Sequence, residues 1–589
     1  MLKPSLAFSL IATLALTLVA QPSSAQEWSP FNPFSQPDNK RKERKKAPQA
    51  DADRKRDSLM YQPLSEGARA VERMELAPVM ADDGSGLPFE LWRGLDVTTL
   101  ETLISELEIP PRSPALHGLW LRLITSNVSP PTGGETDQHF MALRLETLYR
   151  SGLLEEASRA LARMPGGSPL VATLAARNEI GMGEKVRGCA TARSSGPLTG
   201  NAPKSLKGLA ALISGYCAAI DGDTAGAGLA AELAREEGLQ DTVGIAALDA
   251  MTIGAKPSIP AKQRISLMDY RLIEAAGGTI DTPVLLKHAA PSLLAALALD
   301  PNTQPALKLA AAEAAAKLNA ITPDDLARIY RRQAAALQAP GGAHQEGLNR
   351  AELFIAAEAE RTPVRKVRLI RSFLDESRRA GFYMTALRMI APESQSMAAT
   401  PEIGEYAQTG IEVALAAGDY QRAKSWARFG LAVGGRGSGN LRHWLALIDI
   451  ADNDATSDRG ASLAYIEDLA VRGGLDPTLL HRLATVLDAL EYSVPIPLWE
   501  AASRTPQPAS GFLPETGALS QLQNAANKRE FGRTVLLTMK TLGPSGADGA
   551  HMIALGDSIR ALKRAGLEAD ARKLGFEALF ASWPRTFIN

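Results

Sequence analysis

Cysteine, aromatic residues and long apolar runs are all scarce in this chain. Only two cysteines occur among 589 residues, and aromatics make up 5%. Two cysteines exclude a disulfide-dense scaffold and a cysteine-rich metal module. Few aromatics leave few platforms for stacking sugars or bases. Charge of neither sign dominates: 64 Lys and Arg stand against 65 Asp and Glu, so a chain-wide footprint for nucleic acid is lacking. Past the N-terminal apolar segment, no stretch reaches the roughly 18 uninterrupted apolar residues of a membrane-spanning helix. Catalytic signatures are missing as well. There is no Gly-x-Ser-x-Gly, no Ser-x-x-Lys, no phosphate loop, and no Gly-x-Gly-x-x-Gly between a strand and a helix. The glycine run at 434–439 follows a helical pattern and reads as a turn. None of the seven histidines lies within four residues of another or pairs locally with cysteine, so no metal motif is expected. His443, beside Trp444, reads as a packing or surface residue. The expectation is a chain with no cofactor and no enzymatic activity of its own.

What is present begins with a secretory pattern. Lys3 supplies a positive start, Leu6 to Ala20 an apolar core of 15 residues, and Ser23-Ser24-Ala25 small residues for cleavage after Ala25. This predicts export to the periplasm, with an uncleaved anchor as the alternative. Residues 26–58 read as a disordered linker. Within it, the run 40–56 sets Lys40, Arg41, Lys42, Arg44, Lys45, Lys46, Arg54, Lys55 and Arg56 against Glu43, Asp51 and Asp53, a net of +6. Such a run suits contact with anionic lipid headgroups or lipopolysaccharide phosphates; the alternative is a solvated spacer. In an oxidising compartment Cys189 and Cys217 are expected to pair, the alternative being two buried thiols.

Punctuation along the rest of the chain is periodic. Thr282-Pro283, Thr322-Pro323, Thr362-Pro363 and Thr400-Pro401 are separated by steps of 40, 40 and 38 residues. Thr caps a helix N-terminus and Pro suits its first turn. About half a period later come Asp300-Pro301-Asn302, Pro340-Gly341-Gly342, Gly381-Phe382 and Gly418-Asp419. Each unit therefore reads as helix, turn, helix. Five turns also carry Gly with Ala five residues on: Gly152/Ala157, Gly222/Ala227, Gly381/Ala386, Gly418/Ala423 and Gly566/Ala571. The glycine ends the first helix in a left-handed conformation, and the alanine lets the second helix approach it. The organisation that follows is a helical cap region at 59–136, a hairpin array at 137–500, a loop at 501–517, and C-terminal repeats with a cap at 518–589. Pro110-Pro111 is expected to stop one helix of the cap region, and Ser113-Pro114 to start the next.

At these glycine and alanine positions the chain resembles tetratricopeptide-repeat proteins. The resemblance implies an all-α, right-handed helical-hairpin solenoid in which each hairpin touches its neighbours along an extended axis. It is also similar to periplasmic tetratricopeptide-type proteins linked to envelope integrity, which implies a scaffold that binds envelope or periplasmic proteins. The superhelix likewise resembles that of soluble lytic transglycosylases, whose catalytic Glu-Ser precedes a Gly-Leu-Met-Gln-type stretch. Neither Glu376-Ser377 nor Glu393-Ser394 is so followed. The alternative role is thus an accessory subunit of peptidoglycan processing. Within the array, Arg365, Lys366, Arg368 and Arg371 are the candidate partner-binding residues, for an acidic peptide or a phosphate. Pairing with Glu358 and Glu360, or plain solvation, is the alternative.

Overall fold

The computed structural model describes residues 90–585 except 127, 135–138, 165–167, 197, 199–201, 203, 240–241, 258–262, 338–345, 433–440 and 455–460. All of these lie in the second of two units, residues 65–589. The expected secretory segment, the expected linker with its nine basic residues, the start of the expected cap region, the glycine run and the Pro340-Gly341-Gly342 break lie outside the described residues. Among the described residues the chain forms 28 α-helices and one 3₁₀ segment, with no strand and three isolated β-bridges. The all-α hairpin architecture read from the sequence is the one observed.

The hairpins close by one recurrent turn. Gly152, Gly222, Gly381, Gly418 and Gly566 hold φ between 76° and 93°. The N–H of the next residue donates five residues back: Leu153 to Leu148, Asp223 to Ala218, Phe382 to Ser377, Asp419 to Ala414 and Leu567 to Leu562. This pairing satisfies carbonyls that the helix end leaves open. Ala157, Ala227, Ala386, Ala423 and Ala571 are all buried. Two further hairpins carry no Gly/Ala pair. Pro169–Gly181 and Lys185–Ser194 turn at Gly183, with Gly188 in the alanine position. A Cβ on Gly188 would meet Ile180 at 2.6 Å, so even alanine is too large there. Ala518–Asn527 and Phe531–Leu542 turn at Arg529, φ 54°, with buried Thr534 in that position.

Each Thr-Pro pair opens a helical segment, but by different means. Thr322 alone of the four caps with its side chain: Asp325 N–H donates to its Oγ1 at 3.1 Å, and Thr322 N–H donates to the Asp325 carboxylate at 3.0 Å. Thr362 and Thr400 occupy the cap position without a side-chain bond, and at Thr282 the cap is Asp281. The reason is the residue three positions on. Only Thr322 is followed there by a carboxylate, which completes the reciprocal box. Ser113 caps Pro114–Thr125 as expected. The helix before it, Val97–Ser105, ends ahead of Pro110-Pro111.

One hydrophobic core runs from Leu91 to Trp583. A smaller, alanine-rich core spans Ala176 to Leu272 and contains the Cys189–Cys217 bond, with Cα atoms 5.6 Å apart. Arg271 ties this arm to the main body: its guanidinium donates to Gly181 O at 3.0 Å and to Asp300 Oδ2 at 2.8 Å.

The two ends of the array meet, which stacking of neighbours alone does not predict. Gly532 N–H donates to Leu91 O at 3.0 Å, Arg122 pairs with Asp570 at 2.5 Å, and Lys540 pairs with Glu106 at 2.7 Å. The cap region thus packs against the C-terminal hairpins. Its helix Pro114–Thr125 has no exposed residue. Leu116, Leu119, Trp120, Leu123 and Ile124 form its buried face, and Arg122, off that face, is met by Asp570, so the helix is covered by the C-terminal hairpins and is not the free outer face of a terminal cap.

Candidate functional site

The first helices of three successive hairpins line a groove of about 750 Å³. His139–Arg150 contributes Leu143, Glu146 and Arg150; Pro169–Gly181 contributes Leu170, Leu174 and Arg177; Lys204–Ile220 contributes Leu206, Leu209 and Leu212. Helical spacing puts each set on one face. None of the second helices of these hairpins lines it. The facing wall is Leu107–Ile109 with Ser266, Met268 and Asp269. Leu107–Ile109 belongs to the cap region, next to Glu106, which pairs with Lys540 of the C-terminal hairpins.

Apolar surface dominates, and the polar groups at its edges are fixed by neighbours. The Arg177 guanidinium lies 3.9 Å above the Tyr149 ring and donates to Glu146 Oε2 at 2.5 Å. Burial pushes the Tyr149 hydroxyl well above the usual phenol range. Asp269 accepts from Gly244 N–H at 2.9 Å and from the Ser266 hydroxyl at 2.6 Å. A mostly apolar groove with a few preset polar groups suits recognition of an amphipathic segment.

A smaller cavity, about 350 Å³, sits where the ends meet and is lined by Glu577, Tyr383, Arg378, Asp548 and Arg585, among others. Burial raises the Glu577 carboxyl to about 7, against the lowering pull of Ser113 and the Ala115 N–H. That N–H donates to Glu577 at 2.9 Å. Nearby, burial and then Arg388 lower His117 to about 4. Glu412, fully buried, is held by Arg585 at 2.6 Å and accepts from the Tyr383 hydroxyl at 2.5 Å. These polar groups join the C-terminal hairpin to distant segments.

The residues singled out in the sequence do not converge on the groove. Arg365 and Arg368 are exposed on Pro363–Arg379, and Arg368 donates to the Tyr406 hydroxyl at 3.3 Å. Lys366 is buried and pairs with Glu393. Arg371 pairs with Asp375 at 2.9 Å and lies 3.7 Å from Glu412. Two of the four cations are therefore engaged by the chain's own carboxylates. Glu358 is bound by Arg331 instead, at 3.0 and 3.1 Å. Glu360 accepts from Thr362 and Arg361 N–H, which hold its carboxyl below the usual range. His443 is buried and its Nε2 lies 2.9 Å from Pro584 O. The groove residues were missed because the hairpins were read by their turns. The available signal was the stripe at positions 139, 143, 146 and 150 on a first helix. Compared with known proteins, the chain matches no protein-family model, no curated protein and no solved structure.

Proposed function

We propose that this chain is a periplasmic, tetratricopeptide-like scaffold that holds an amphipathic segment of a partner protein in its groove and so supports the cell envelope. The observation that carries the reading is the division of labour between helices. First helices supply the groove, and second helices turn apolar residues such as Leu229, 73% exposed, away from it. Leu143, Leu170, Leu206 and Leu209 are only half-buried, so a ligand covering them would remove apolar area from water at about 25 cal/mol per Å².

The test is a photo-crosslinking residue at Leu209 or at Leu229 in the mature chain, exposed to periplasmic extract. A discrete adduct from position 209, absent from 229 and lost when Leu143→Arg puts a charge in the groove, is the expected result. The same adducts from both positions would dismiss the groove as the site.

A further inference from the structure

A second cavity adjoins the groove and differs from it in charge. It encloses about 770 Å³ and shares Glu108, Ile109 and Arg264 with the groove. Its walls are the Glu108–Arg112 segment, the end of helix Thr282–His288, and one face of helix Pro305–Lys317, with Arg350 also lining it. Its two carboxylates are already matched: Glu108 pairs with Arg112 at 2.8 Å and Glu313 with Arg350 at 2.6 Å. Arg264, Lys287 and Lys317 remain, all exposed, with no ion-pair partner among the described residues.

Lys287 and Lys317 stand in the last turns of their helices, where cations complement the helix dipole. That accounts for each alone. It does not account for Arg264, which belongs to no helix. Arg264 is set in place by the isolated bridge Ile265↔Ala289: Ile265 N–H donates to His288 O at 2.9 Å, and Ala290 N–H returns to Ile265 O at 2.9 Å. Pro291, the first residue of Pro291–Leu299, lines the wall beside this bridge and has no N–H to donate. Three like charges in one cavity repel one another, and an anion removes that cost. A guanidinium and two ammonium groups together form a donor set that phosphate oxygens accept from.

We infer that this cavity binds a phosphate- or diphosphate-bearing ligand through Arg264, Lys287 and Lys317. The inference does not depend on the peptide reading of the groove. Titration calorimetry of the mature chain with inorganic pyrophosphate, at low and then high salt, tests it. Saturable binding that weakens with salt is expected. It should fall by roughly tenfold for Arg264→Ala or Lys317→Ala and vanish in the triple variant with Lys287→Ala. Lys528→Ala, at an exposed position lining none of these cavities, should bind as the parent does. Short-chain phosphatidylglycerol below its micelle concentration forms a second arm: tighter binding than pyrophosphate assigns a lipid headgroup, weaker binding a free phosphate. All three sites are exposed, and unchanged melting temperatures confirm intact folds. Absence of saturable pyrophosphate binding at low salt, or equal binding by the folded triple variant, overturns the inference.

Discussion

Glu577 and His117 are titratable side chains near the meeting of the two ends, and their effects on stability oppose each other. Glu577 ionises at about 7 in the folded chain against an ordinary 4.5. The folded state therefore binds the extra proton between those values. Its contribution is complete below about 4.5 and is lost as pH rises through 7. His117 ionises at about 4 against 6.5, so its contribution is complete above about 6.5 and is lost as pH falls toward 4. Between about 4.5 and 6.5 the two slopes offset. Glu577→Gln removes one of them, so its stability relative to the parent should rise with pH across roughly 4.5–7. Urea unfolding at several pH values measures this, and a pH-independent difference would discard the assignment. Neither group stood out in the sequence. His117 had no local partner, and Glu577 lies 464 positions from Ser113, so only closure of the fold brings them near shared neighbours.

Hairpins were the legible element, because their cause is local. A positive-φ glycine and a buried alanine five residues on are requirements of one turn, and sequence spacing reports them. Gly188 and Arg529 show the limit. The same turn can be built with a still smaller contact residue or a strained non-glycine, and the pattern then disappears. The arm from Ala176 to Leu272 has less apolar support than the main core, since alanines fill much of its interior. Its cysteines are 28 positions apart, a loop whose closure is worth about 3–4 kcal/mol. Replacing both by serine should lower stability by about that amount. Hydrogen exchange should quicken in Lys185–Ser194 and Lys204–Ile220 before the core around Trp444. Uniform acceleration throughout the chain would show that the arm is not a separate cooperative unit.

At the scale of the whole unit, sequence periodicity was silent on how the array ends. Repeats predict neighbour contacts, whereas closure depends on which distant surface covers the cap-region helix Pro114–Thr125. Pro114–Thr125, PALHGLWLRLIT, has one apolar face and carries His117, Arg122 and Thr125 off it, so nothing local in the helix announces the surface that covers it. One wall of the groove, Leu107–Ile109, comes from the same cap region that closure holds through the adjacent Glu106, so closure bears on the proposed recognition. The measurement that tests this most directly is the spin-label distance between Glu106→Cys and Lys540→Cys in the oxidised protein, where the native cysteines are bonded. The substitutions remove the ion pairs of Lys540 with Glu106 and with Glu515, each between partly exposed side chains and worth about 0–1 kcal/mol, and leave the apolar packing intact. The account predicts one narrow population at the short end of the measurable range. A long, broad distribution, as an open stack of helices roughly 10 Å apart would give, would contradict it.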